Sequence, residues 1–287
     1  MVNRNRQIVK ISDAHVHFWN VEKIKYPWLD NFPKINMNLG IEEYDEAIGD
    51  IQIENIVFVQ CECEPNRYRD ELHYINHIAQ TDHRIQAIVS YFPLEYVQDD
   101  KELADLLREF PLIKGIRRLE EHPSSLYKNT NFIRQMDLLL KYDLSFDLCV
   151  TASQIPAAVG LVESKPEHRF VLDHFGKPNI KANEFKAWEK AIKRIAAHPQ
   201  TYCKLSGLVT EADWQNWDVA TLKPYFHTVL KYFGSDRLMF GSDWPVVTLA
   251  TSYDKWYSAA IELCDGLDLH RIFYANTLNF YKIATHE

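Results

Sequence analysis

The sequence predicts an α/β protein folded as a closed (β/α)8 barrel, the TIM-barrel architecture, in a single domain over residues 1–287. Three observations carry that expectation. Eight short apolar, β-branched runs recur with starts about 25–42 residues apart, the spacing of successive β-α units. Segments with helical periodicity fill most of the intervals. No Ser/Gly/Pro-rich linker, low-complexity stretch or strong short repeat divides the chain, and 287 residues suit one elaborated barrel better than two domains.

The first candidate strand, Ile11–Phe18, is followed by a long segment that contains Tyr26-Pro27-Trp28-Leu29. The second, Ile53–Cys61, includes Val57-Phe58-Val59, a continuous apolar run of the kind a strand buried on both faces requires. A helix over Tyr68–Ala79 places Leu72, Ile75, Ile78 and Ala79 at helical spacing. Strand three, Ile85–Phe92, carries Ala87-Ile88-Val89, and a helix over Glu102–Phe110 follows. Strands four and five are Leu112–Leu119 and Leu144–Val150, with a helix over Phe132–Tyr142 between them. A helix over Ile155–Glu163 leads to strand six, Arg169–His174. One over Phe185–Ala197 leads to strand seven, Thr201–Leu205, and one over Val219–Tyr232 to strand eight, Arg237–Phe240. Helices over Tyr253–Leu263 and Ala275–Ile283 close the chain. An open doubly wound sheet is the competing architecture, but it usually has fewer strands and a Gly-rich first turn that is missing here.

Composition narrows the function. Hydrophobic residues are 46% and charged residues 25%, as in a soluble globular protein. With 9 glycines, none separated from another by one residue, no G-x-G dinucleotide fingerprint exists, and no Gly-Lys-Ser/Thr triplet forms a P-loop. A net charge of −8 disfavours a general attraction to nucleic acid or anionic lipid, so neither partner is expected. No apolar run is long enough to cross a membrane. Met1–Gln7 has charge but no apolar region behind it, so it does not read as a signal peptide. Five scattered cysteines imply reduced thiols and a cytoplasmic location, with Cys61-Glu62-Cys63 read as structural.

Chemistry in such a barrel sits at the C-terminal strand ends. Strand one ends Asp13-Ala14-His15-Val16-His17; residues two apart share a face, so His15 and His17 are candidates to share one cation through imidazole nitrogens. Strand six ends Asp173-His174-Phe175-Gly176-Lys177-Pro178, which offers His174, with a core or turn role as the alternative. Strand eight gives Phe240-Gly241-Ser242-Asp243-Trp244-Pro245. Asp243 is a candidate base or ligand there, with a cap or turn acid as the plainer reading. On strand four, Arg117 and Arg118 point to opposite faces, so only one can face the mouth and clamp a substrate. Gln60 on strand two and Lys204 on strand seven are further substrate-binding candidates with structural alternatives. Trp28 is a candidate cover for a sugar face, with Trp19 and Trp244 as the other indoles to weigh.

On these residues the chain resembles the amidohydrolase superfamily, and within it the branch that includes sugar lactonases and pyrone-dicarboxylate lactonases. The matching segments are Asp13–Trp19, Tyr26–Leu29, Gly115–Arg117, Leu172–Pro178, Lys204–Gly207, Phe240–Pro245 and Tyr274–Tyr281, in the expected order across nearly the whole chain. The resemblance implies a carboxylic-ester hydrolase that opens a small sugar-acid lactone of the L-fucono or L-rhamnono type. His15, His17, His174 and Asp243 carry over as the catalytic and metal-ligating cluster. Strand five reads Ser145-Phe146-Asp147-Leu148 where many superfamily members supply another histidine, and Lys114 stands too early in strand four for a bridging carbamate. The resemblance therefore implies one divalent ion, zinc in the first instance, rather than a binuclear centre, and it leaves metal dependence open. The mechanism it implies has Asp243 take a proton from water and pass it to the departing ring oxygen. A decarboxylase on the same barrel and a non-catalytic sugar-acid binding protein are the rival readings. The lactone's identity and the oligomeric state are not encoded in these motifs.

Overall fold

A computed structural model of the chain describes residues 10–119 and 126–284; the Met1–Gln7 segment lies outside the described residues. Eight parallel strands run in chain order, each paired with the next: β1 (Ile11–Val16), β2 (Ile53–Val59), β3 (Ile85–Ser90), β4 (Ile113–Leu119), β5 (Ser145–Cys149), β6 (Phe170–Leu172), β7 (Thr201–Leu205) and β8 (Leu238–Phe240). A parallel bridge between Val16 and Trp244, with the His17 amide donating to the Trp244 carbonyl at 2.8 Å, brings the last strand back to the first. The predicted barrel is therefore the observed one. Most expected strands run a residue or more too far; β6 stops at Leu172 because Asp173 opens a turn.

Ten α-helices surround the sheet among the described residues: α1 (Ile41–Ile48), α2 (Tyr68–Ala79), α3 (Lys101–Glu109), α4 (Thr130–Gln135), α5 (Asp137–Lys141), α6 (Ile155–Ser164), α7 (Phe185–Ala196), α8 (Val219–Phe233), α9 (Tyr253–Leu263) and α10 (Asn276–Tyr281). The single helix expected over Phe132–Tyr142 is interrupted at Met136 into α4 and α5. The last helix is entered through a π-turn, Arg271–Ala275. α1 lies in the long first connection, where the sequence reading placed no helix. Its cap is Gly40, whose amide donates to Glu43 at 2.7 Å, so it lacks the Ser/Thr/Asp/Asn start signal. No helix among the described residues is long and apolar enough to cross a membrane.

Strand alternation divides the core in two. Ile56 and Phe58 pack into the large cluster that includes the helices' apolar residues, while Val57 and Val59 join Ala87, Val89, Val171 and Met239 on the other face. Leu278, Phe280 and Tyr281 of the last helix complete that second cluster. Asn276 donates to the Leu238 carbonyl at 2.6 Å, and the Thr277 hydroxyl to that of Ser12 at 3.4 Å, so α10 closes the end of the barrel where β1 and β8 begin. The opposite, C-terminal end is the mouth.

A β-bulge shapes that mouth. Asp13 pairs with Ile56 and Val16 with Phe58, so β1 has one residue more than β2 between these positions. Asp13 consequently turns to the helix side, where it accepts bonds from the hydroxyls of Tyr44 (3.0 Å) and Tyr253 (3.1 Å). Its other oxygen accepts from the Ser242 amide at 2.8 Å. This buried carboxylate ties β1 to the segment that carries Asp243.

Candidate active site at the barrel mouth

Four side chains from three strand ends converge. Oδ1 of Asp243 lies 3.5 Å from His17 Nε2, 3.7 Å from His15 Nε2 and 3.8 Å from His174 Nε2, and the two strand-one Nε2 atoms are 3.1 Å apart. The local backbone is built for this approach. Asp243 (φ 59°) and His174 (φ 52°) both adopt left-handed conformations. A Cβ on Gly207 would stand 2.6 Å from the His174 ring, and one on Gly241 2.8 Å from the His15 Cβ, so only glycine permits either contact.

The neighbours set protonation. His17 Nδ1 lies 2.7 Å from the Val59 carbonyl, which can only accept, so Nδ1 carries the hydrogen and Nε2 presents a bare lone pair. His174 Nδ1 lies 2.8 Å from the Ser206 hydroxyl. Burial pushes the imidazoles of His15 and His17 below their ordinary range and that of His174 down to about 4, so all three are neutral at neutral pH. Burial works against the Asp243 charge, but His174, His17 and the Lys177 ammonium outweigh it and hold the carboxyl below its usual range.

Beneath the cluster lies an ionic layer. Lys204 reaches Asp147 Oδ2 at 2.6 Å, Asp173 Oδ1 at 3.0 Å and His15 Nδ1 at 3.1 Å, and Tyr281 donates to Asp147 at 2.8 Å. Lys204, Asp147 and Asp173 are completely buried. Burial opposes the charge on Asp173, yet Lys204 and His15 hold its carboxyl well below the usual range.

Above the cluster opens a cavity of about 640 Å³, within the usual size of small-molecule sites. His17, His174 and Asp243 line it, with Arg117, Trp28, Lys177, Glu211 and Trp214. A larger groove of about 900 Å³ runs alongside and shares Trp214 and Leu249, but it holds none of the histidines.

The remaining sequence candidates divide. Arg117 faces the cavity, its Nη2 donating to the Gln60 carbonyl at 2.5 Å and its Nη1 3.6 Å from Asp173. Trp28 lines the wall, anchored by Nε1 to the Cys61 carbonyl at 2.8 Å. Trp19 and Trp244 are core residues. Three of the substrate-binding candidates do not line the cavity. Arg118 turns to the opposite face, where it pairs with Glu95 and stacks over Tyr91 at 4.5 Å. Gln60 spends its side chain on Glu62 and its carbonyl on Arg117. Lys204 is sealed in the ionic layer. All five cysteines are free; Cys61 and Cys63 border the cavity, where burial raises both thiols and keeps them neutral.

Lys177, Glu211 and Asp173 were not singled out from the sequence. Lys177 and Asp173 sit in the same strand-six motif as His174, a signal that was present. Glu211 lies in a loop whose local pattern gives no sign of it.

His17, His174 and Asp243, with His15 behind them, form a donor set of imidazole nitrogens and one carboxylate. Such a set fits a divalent cation, and two overlapping triads, His15–His17–Asp243 and His15–Asp173–His174, have ligand atoms within 4.8 Å of one another. Fold and site together define a barrel enzyme of the kind that carries a histidine–carboxylate cluster at its C-terminal mouth, able to hold a divalent cation. The amidohydrolase family model matches residues 12–283, and the chain belongs to that family. It is 31% identical over 281 residues to an L-fucono-1,5-lactonase of Burkholderia ambifaria, covering 94% of this chain and 95% of that protein. It is 23% identical to an L-rhamnono-gamma-lactonase of Scheffersomyces stipitis, covering 96% and 99%. An amidohydrolase from Burkholderia multivorans, in a crystal structure with bound zinc, superposes with a TM-score of 0.84 at 27% identity, over 97% of this chain and all of that one.

Proposed function

We propose that the protein opens the cyclic ester of a small sugar-acid lactone with water activated by Asp243. The observation that carries this reading is an ionised carboxylate set among three neutral imidazoles, His17 and His174 lining the cavity with it and His15 behind them. The full-length likeness to lactonases supports the ester substrate.

His17, His174 and Asp243 would hold a divalent ion, with His15 as a fourth donor only in its Nδ1–H tautomer; when bound, the ion supplies Lewis acidity and lowers the pKa of a coordinated water. The chain's own residues do the rest. Asp243 takes a proton from the attacking water and returns it to the ring oxygen as the ester bond breaks. Arg117, anchored on both sides, orients the substrate from the wall, and Trp28 covers its C–H face. Four carboxylates, Glu62, Glu64, Glu211 and Asp243, line the cavity against two permanent cations, Arg117 and Lys177. That balance favours a neutral polyhydroxylated lactone over a dicarboxylate.

A pH-indicator hydrolysis screen over aldonolactones and pyrone dicarboxylate, run with and without chelator, tests the reading. We expect turnover of at least one aldonolactone. Release of carbon dioxide from an acid substrate without turnover of any lactone would replace this reading with the decarboxylase one.

A further inference from the structure

Lys177 and Glu211 face the same cavity as the His/Asp cluster but are not part of it. Their placement is built rather than incidental. Four successive residues adopt left-handed backbone, His174 (φ 52°), Phe175 (54°), Gly176 (68°) and Lys177 (45°), and the Lys177 amide closes the turn on the His174 carbonyl at 2.8 Å. For the three non-glycine residues this costs roughly 1–2 kcal/mol each. The cost is met locally: Phe175 is fully buried and its carbonyl accepts from the Trp188 indole at 2.7 Å. The result is that one short turn presents both His174 and Lys177 to the cavity. Glu211 ends the 3-10 turn Val209–Glu211 that follows β7, and its carbonyl accepts from the Lys181 amide at 3.2 Å, so the two loops are tied together. The neighbouring Trp214, its Nε1 fixed on the Thr210 carbonyl at 2.8 Å, lines the same wall.

Among the described residues, neither the Lys177 ammonium nor the Glu211 carboxyl has a side-chain hydrogen bond or an ion pair within 4 Å. Yet each feels the other. The Cys149 sulfur, with the carboxylates of Glu211 and Asp243, holds Lys177 above its ordinary range, and Lys177 in turn opposes the rise that burial imposes on Glu211. A cation and an anion facing one cavity and not bonded to each other match a ligand that both accepts and donates. A hydroxyl does both. A carboxylate would suit Lys177 but meet repulsion from Glu211 and Asp243, and an apolar ring would leave both charges desolvated without a partner.

We propose that Lys177 and Glu211 form a hydroxyl-recognition subsite, Lys177 donating to and Glu211 accepting from ring hydroxyls of the lactone, and so select polyhydroxylated lactones over bare ones. The proposal rests on the lactonase reading above and deepens it. Its test is a selectivity ratio: kcat/KM for a six-carbon aldono-1,5-lactone divided by that for δ-valerolactone, in the wild type, Glu211→Gln and Lys177→Met. Each substitution is expected to lower the ratio about 10–100-fold, the loss of one charge-assisted hydrogen bond. Titration calorimetry with a 1,5-anhydrohexitol, the ring without its carbonyl, is expected to show a dissociation constant at least about tenfold weaker in both variants. Circular dichroism checks that they fold. A ratio and a dissociation constant unchanged in both variants would overturn the subsite. A wild type that turned over no aldonolactone of the screen above would overturn the lactonase reading, while the calorimetry would still report on the subsite.

Discussion

The Lys204 ammonium lies 3.1 Å from His15 Nδ1, a contact that favours the tautomer with the proton on Nε2. Lys204 has three hydrogens and three buried acceptors, Asp147, Asp173 and His15. Burial works against its charge, but the two carboxylates hold the ammonium above its ordinary range. An ammonium donating to Nδ1 leaves the neutral ring protonated at Nε2, which faces the bare Nε2 of His17 at 3.1 Å. A cation at the cluster needs the other tautomer, with Nδ1–H turned to Asp173 at 3.4 Å. His15 is therefore either a proton donor to the site or a ligand, and Lys204 biases it towards the first.

Replacing Lys204 with Met leaves two carboxylates buried without their cation. Stability should fall by about 3–5 kcal/mol, the usual cost of breaking a buried pair from one side. Urea denaturation checks this; an unchanged midpoint would mean the ionic layer carries no net stabilisation.

Asp243→Asn keeps the shape of the side chain but removes the base. Turnover of the best lactone should fall by about 10²–10⁴-fold with the circular dichroism spectrum intact. Near-normal turnover would remove Asp243 from the mechanism.

The barrel was legible because eight strand-length runs recur at β-α spacing and those of β2 and β3 are apolar on both faces, which a closed, helix-covered sheet buries. His15, His17, His174 and Asp243 were legible because each follows an apolar run at a strand end. Parity along a strand could not choose between Arg117 and Arg118. The choice follows from register, which sets Arg117 beside Asp147 on the inward face. Parity also fails at Asp13, two residues before His15, because the bulge turns it outward. Lys177 depends on a left-handed turn and Glu211 on a loop, and neither has a period to read.

The two adjacent arginines give a paired comparison. Arg117→Met should lower kcat/KM at least about tenfold, because the guanidinium lines the cavity and is held by Gln60 and Asp173. Arg118→Met breaks a pair with Glu95 on the other face, so its effect should appear in thermal stability while kcat/KM stays within about threefold. The reverse pattern would place the wrong arginine in the site.

Zinc should raise the melting temperature of chelator-treated protein. At a free concentration 100 times the dissociation constant the gain is about 2.7 kcal/mol, roughly 5 °C for a chain of this size. His17→Ala and His174→Ala should each abolish most of the gain, and acidification towards the His174 value of about 4 should do the same in the wild type. A shift that survived both substitutions would locate the ion elsewhere.

Glu71 adds a pH dependence of its own. It is buried on α2, where Oε1 accepts the Cys61 amide at 3.1 Å, and burial pushes its carboxyl up to about 8 from an ordinary 4.5. The folded state thus keeps this proton up to about pH 8, while the unfolded chain loses it near 4.5. Between those values the unfolded state binds fewer protons, so stability falls as pH rises; the contribution is full below 4.5 and gone above about 8. At about 1.4 kcal/mol per unit, several kcal/mol are at stake across the window. Glu71→Gln keeps a carbonyl for the Cys61 amide and has no proton to lose. Wild-type unfolding midpoints should therefore drop between pH 6 and 8.5 relative to those of the variant, as read by denaturant titration at each pH. Parallel curves would show that Glu71 is ionised in the fold, and its place beside Cys61, whose sulfur lies 3.7 Å from His17 Nδ1, would then add its charge to those of Asp243 and Asp173 around the imidazole cluster.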